Sequence, residues 1–180
     1  MKPGLPPLYR WLLDEPGPRI LVEALALYGT KEITGDESNP VILSWAHEIG
    51  GWVGNSYTDD DVPWCGLFVG VCALRAGFAL ERNVLTARAW TTWGQRADRP
   101  SLGDVLVFIR PGGGHVGFYV GEDDSTYHVL GGNQSNQVSI SRIEKQRLLA
   151  ARRCKWHGDK PDNVRPVILA GIGAVSRGES

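Results

Sequence analysis

The chain reads as a single α+β domain in which helices come first and an antiparallel sheet follows. Three observations predict that class. Apolar residues recur at helical spacing as far as about residue 93, the period changes to alternation after Pro100, and turn residues separate the alternating runs. At 180 residues and 42% hydrophobic, one domain spanning 1–180 can bury a substantial core.

Residues 1–17 are rich in proline and glycine and are expected to wrap the surface irregularly. A first helix fits Pro18 to Tyr28, with Gly29 as its cap. The second starts more sharply, with Asn39 as N-cap and Pro40 in the first turn. Its Val41, Ile42, Trp45, Ala46 and Ile49 share one side, and Gly50-Gly51 stops it. A third helix, Cys65 to Ala76 closed by Gly77, is apolar nearly all round and so belongs inside. A short fourth fits Thr86 to Trp93. Strands fit Asp104–Arg110, His115–Gly121, Thr126–Gly131, Val138–Ser141 and Leu148–Arg153. The tail from Lys155 carries no clear pattern.

Composition excludes several classes of function. A net charge of −1 leaves no basic footprint for nucleic acid and no polybasic arm for a membrane surface. No apolar run reaches membrane-spanning length, and the first residues lack the apolar stretch of a secretory signal. The expectation is a monomer without membrane insertion, made in the cytoplasm and needing another route to any target outside it. Three cysteines form no disulfide framework, and Cys65 and Cys72 stand about 10 Å apart along one helix. Cys154 and His157 lack a second pair for zinc.

The chemistry concentrates in two stretches. Pro63-Trp64-Cys65-Gly66-Leu67-Phe68 puts a cysteine at a helix start, where unpaired backbone N–H groups favour the thiolate over the thiol. Fifty residues later Gly114-His115-Val116-Gly117 puts a histidine at the head of a strand. A thiol beside an imidazole is the minimum kit of a cysteine amidase or peptidase, the imidazole later protonating a leaving amine. Centring the next hairpin on Asp124 sets Asn133 opposite His115 and Gly117 opposite Gly131. Asn133 is then the residue that orients His115. The glycine pair makes room for the cysteine helix, and His128 points to the other face.

These residues resemble a known family. The run Tyr57–Val69, the turn Pro100-Ser101-Leu102-Gly103-Asp104, and Gly114–Gly117 with Gly131–Asn136 look like the phage-associated branch of the NlpC/P60 and CHAP superfamily of papain-like peptidoglycan hydrolases. The resemblance runs over about 29–153. It implies a papain-like fold of N-terminal helices on a C-terminal antiparallel sheet, with nucleophile Cys65, base Cys65's partner His115, and a third polar residue that maps best onto Asn133. Many members carry His or Glu at that third position. The implied reaction is amide hydrolysis in bacterial peptidoglycan through a thioester, without a cofactor. A phage or prophage endolysin or a tail-associated hydrolase fits this, as does a type VI secreted amidase effector. The rival outside enzymes is a non-catalytic wall-binding or phage structural module.

Asp61, Trp64, Gly66, Gln134 and Trp93 are the candidate substrate contacts. Trp45, Trp52 and Trp90 are expected to pack the helical half, and Cys72 and Cys154 to be inert core residues. His47, His128 and His157 are expected to be structural or on the surface. Asp59-Asp60-Asp61 is expected to be a solvated loop whose last member helps cap the cysteine helix, with no metal. Asp104 reads as a strand-entry device, and Gly112-Gly113-Gly114 as a flexible hairpin beside the site.

Overall fold

The computed structural model describes residues 4–33, 35 and 37–179, so Met1–Pro3 of the expected extension lie outside the described residues. The architecture is helical first and antiparallel afterwards, as the change of period requires. A 3₁₀ helix η1 (Pro7–Asp14) precedes α1 (Arg19–Ala26), α2 (Pro40–Ile49), α3 (Gly51–Ser56) and α4 (Cys65–Arg75). A second 3₁₀ helix, η2 (Ala87–Thr92), leads to a six-stranded sheet. Its strands are β1 (Gln95–Arg96), β2 (Val105–Arg110), β3 (Gly113–Glu122), β4 (Thr126–Gly131), β5 (Ser139–Glu144) and β6 (Leu148–Arg153), with η3 (Lys145–Arg147) between the last two. The spatial order is β1-β6-β2-β3-β4-β5, every neighbour antiparallel. Among the described residues no helix is long and apolar enough to cross a membrane.

Local chemistry explains most boundaries. The Asn39 side chain accepts from the Val41 N–H, and Pro40 occupies the first turn of α2. Gly50 and Gly51, both with positive φ, end α2, and the chain then re-enters a helix as α3, which the glycine pair had hidden from the sequence. The supposedly irregular extension holds η1, whose Tyr9 and Leu12 are buried. The fourth helix is the 3₁₀ turn η2, shorter than expected. Asp104 is a strand-entry device as expected: it accepts from the Ser101 N–H at 2.8 Å and takes the Arg153 guanidinium at 2.8 and 2.7 Å.

The sheet is covered on both sides. Val105, Val107, Val116, Phe118, Val120 and Leu130 pack under the helices, with Phe68 of α4 edge-on to Phe118 at 5.8 Å. Leu106, Phe108, Tyr119, Val129, Ile143 and Ala151 form a second apolar cluster on the other face. That double burial is why β2 and β3 read as nearly continuous apolar runs. Trp45 and Trp90 are fully buried as expected, whereas Trp52 is 50% exposed.

Candidate active site

Cys65 is the first residue of α4. The first intrahelical bond runs from the Phe68 N–H to the Trp64 carbonyl, which leaves the N–H groups of Cys65 and Gly66 without helical acceptors. Asp61 does not cap this helix. Trp64 is the N-cap and no side chain bonds there, while the Asp61 N–H turns back to Asp59 Oδ1 at 2.9 Å. The Cys65 sulfur lies among its own N–H, that of Gly66 and that of Val116, the residue after His115. The thiol therefore sits against β3 one residue from the histidine. The β3–β4 ladder stops at Phe118/Leu130, three residues short of His115.

His115 pairs across β2 with Phe108, so its side chain shares the face of Phe108, opposite the face α4 covers. The glycine pair does not admit the helix. A side chain on Gly117 would meet Val129 and Leu130 of β4. The close approach of α4 is at Gly132 instead, where a Cβ would lie 2.6 Å from Phe68 Cβ and 2.7 Å from the Trp64 ring.

Near the site the β3–β4 register is the expected one, with Phe118 opposite Leu130 and Tyr119 opposite Val129. A shift between Tyr119 and Gly121 separates it from the turn. Asn133 nonetheless misses the ring. β4 ends at Gly131, Asn133 has φ 53°, and its buried Oδ1 has no hydrogen-bond partner. The residue at the ring is Gln134, whose Oε1 lies 3.0 Å from His115 Nε2. Gln134 Nε2 donates to the carbonyls of Ser139 at 2.6 Å and Val129 at 3.1 Å, so the amide cannot be turned round. His115 Nε2 must then carry the proton, leaving Nδ1 as the basic nitrogen. Asn133 is corrected to Gln134 as the orienting group. Gln134 had been expected only as a substrate contact.

His128 lies on the face opposite His115, as the alternation predicts. That face, not the one of the glycine pair, bears the helices, and His128 is structural. Its Nδ1 meets the Tyr9 hydroxyl at 2.8 Å and its Nε2 meets Asp123 Oδ2 at 2.9 Å. Burial pushes the Asp123 carboxyl up, but hydrogen bonds from Thr126, His128, the Ser125 N–H and Arg142 outweigh it and hold the group well below the usual carboxylate range.

Of the other candidate contacts, Trp64 is fully buried and donates from Nε1 to Glu32 Oε1, which makes it a core residue. Gly66 is a packing position, since a side chain there would strike the Val84 and Leu85 carbonyls. Trp93 packs on Phe78, just past the C-terminal end of α4, about 16 Å of helix away from Cys65. Asp61 is exposed. The carboxylates of Asp59, Asp60 and Asp61 lie within 4.8 Å of one another, but Asp60 accepts from the Asn39 N–H and Asp59 from Ser38 and Asp61, bracing the loop onto α2. Sequence reasoning missed Glu32 and Glu179. Neither lies in a motif, and only the fold brings them in.

Burial governs the ionisation of both reactive groups. Cys65 is 4% exposed and His115 1%. Loss of solvent pushes the thiol up, and the three N–H groups and Arg110 only partly offset it. The expectation of a depressed thiol is thus overturned for the resting chain. Burial also lowers His115 to about 4, against the opposing influence of Glu179 and Gln134, with Arg110 and Arg147 adding to the lowering. The pair rests neutral.

The sign of the pH dependence follows. Below its ordinary value of 6.5, His115 takes up a proton in the unfolded chain but not in the folded one until about pH 4. Its contribution is therefore complete above pH 6.5 and lost as pH falls toward 4, on the order of 3 kcal/mol in all. Urea midpoints measured from pH 7.5 to 4.5 should fall less steeply for His115→Gln than for the parent. Equal slopes would rule His115 out as the source.

No protein-family model matches the chain, and no curated protein is significantly similar to it in sequence.

Proposed function

We propose that the chain is a papain-like cysteine amidase or endopeptidase acting on peptidoglycan. One observation carries this reading: a thiol at a helix start lies against the N–H beside a histidine whose tautomer is set by a buried glutamine amide. Because the His115 ring stands on the face of β3 away from α4, ring and sulfur have to meet at the strand edge, where Nδ1 takes the thiol proton as the sulfur attacks an amide carbonyl. The N–H groups at the start of α4 face the oxygen that gains charge. The imidazolium then protonates the leaving amine, and Nδ1 next draws a proton from the water that hydrolyses the thioester. A neutral glutamine suffices as orienting group, because the thiolate balances the imidazolium. The buried, unpaired Oδ1 of Asn133 is an acceptor that an N–H of a bound peptide would satisfy. The resemblance of the cysteine and histidine motifs points to the wall polymer as substrate, and an endolysin or tail-associated hydrolase as the setting.

Mass spectrometry of purified peptidoglycan after incubation tests the reaction directly. New amine and carboxyl termini should appear with the active chain, and an unchanged polymer would reject the reading. Site variants then test the geometry. Gln134→Ala should lower kcat about 10²-fold, because a ring free to rotate loses both tautomer and aim. Asn133→Ala should act mainly on KM, and His128→Ala should leave kcat intact while lowering the melting temperature. An inactive, folded His128→Ala beside a fully active Gln134→Ala would assign the orienting role to His128.

A further inference from the structure

The tail after β6 crosses the sheet edge and ends beside His115. Its backbone runs next to β3 at Ile168 and next to β5 at Val175, and the Ser176 N–H donates to the Arg142 carbonyl. Residues 170–175, 177 and 178 are exposed. Among the described residues from 170 on, only Glu179 is buried, its side chain 0% exposed. Both of its oxygens take the Arg147 guanidinium, at 2.8 and 2.7 Å. A planar two-bonded match of this kind is how a guanidinium recognises a carboxylate.

Arg147 is held by both the sheet and the tail, its Nη1 also donating to the Ser176 carbonyl at 3.4 Å. Leu148 pairs with Phe108, and Phe108 pairs with His115, so Arg147 stands one residue before the cross-strand row that ends at the histidine. Its Nε donates to the Ile109 carbonyl at 2.9 Å, which fixes the guanidinium at the His115 end of β2. A cavity of about 690 Å³ opens between η3 and the tail, with Arg147, Gln146, Val175 and Ser176 among its walls. A carboxylate carried on an otherwise exposed strand of chain thus fills a rigidly held receptor on the His115 side of the sheet. Such a segment, with few buried contacts, opens at small cost.

We propose that Arg147 is the carboxylate-binding residue of the Cys65–His115 site, and that Glu179 occupies it in the resting chain as an internal stand-in for a substrate carboxylate. The ligand class is a peptide with a free carboxylate next to the amide to be cut; its identity as a wall peptide rests on the function proposed above. The tail must leave before substrate binds.

Binding and alkylation test this without relying on turnover. In the Cys65→Ala background, calorimetric titration uses a stem-peptide fragment with free carboxylates and the same fragment fully amidated. Glu179→Gln should tighten binding of the free-carboxylate probe at least about tenfold, because the internal competitor is gone. Adding Arg147→Gln should erase that gain, Arg147→Lys should keep part of it, and the amidated probe should gain nothing. With Cys65 present, Glu179→Gln should speed iodoacetamide labelling of Cys65 at least about tenfold, with Cys72 and Cys154 as unchanged internal controls. Equal binding of the two probes, or unchanged Cys65 labelling in folded Glu179→Gln, overturns the proposal. If these arms hold but no variant cuts peptidoglycan, the carboxylate site stands and the hydrolase reading falls. If peptidoglycan is cut and Arg147 and Glu179 are indifferent, the reverse is true.

Discussion

Cys65→Ala should abolish amide hydrolysis while the chain stays folded. In the proposed mechanism the sulfur forms the covalent bond, so no other residue replaces it, and kcat should drop by about 10³-fold or more. The structural cost is small. The side chain is buried at the start of α4 against a backbone N–H, and losing one sulfur atom there costs about 1 kcal/mol. Rates on purified peptidoglycan measured beside thermal melts separate the two effects. Cys72→Ala is the matched control, since Cys72 is equally buried but lies two turns along the helix. Full activity in folded Cys65→Ala would end the cysteine mechanism.

Trp64→Ala should cause one of the largest losses of stability available in the chain, about 3–5 kcal/mol. The indole is fully buried, tilted against Trp45 at 5.9 Å, and forms the wall that Gly132 meets. Removing it opens a cavity between α2, the start of α4 and the loop that carries Gln134. It also strips Glu32 of its donor, and burial already pushes that carboxyl up. Trp64→Phe keeps much of the volume and loses the N–H, so it should cost clearly less. Urea unfolding of both variants decides this, and a Trp64→Ala midpoint within error of the parent would show that the loop repacks. Activity measured under conditions where Trp64→Ala remains folded should still fall, because the indole positions the cysteine helix and the glutamine loop together.

Much of the frame was legible in the sequence because it depends on local chemistry. The α2 start needs only Asn39 and Pro40, the turn into β2 needs only Gly103 and Asp104, and the pairing of Phe118 with Leu130 and Tyr119 with Val129 is the one that alternation gives. The two reactive residues were legible for the same reason, each standing at the first turn of a helix or head of a strand. α3 was not, because a glycine pair reads as a stop whether or not a helix resumes after it.

What the sequence could not decide is everything that depends on the third dimension. Alternation placed Asn133 across from His115, but the chain leaves the strand at Gly131 and turns left-handed at Asn133, which hands the ring to Gln134. Helix position argued for a low thiol pKa, but burial against the sheet outweighs a few N–H groups and pushes it up. Trp64 and Trp93 read as groove residues, and packing made one a core wall and put the other at the far end of α4. Glu179 has no motif and stands more than sixty residues from His115, yet the tail lays its carboxylate on Arg147 beside that ring. Residue type and spacing determined which groups can react; desolvation and long-range packing, which no local pattern encodes, decided their charge, their partners and their access.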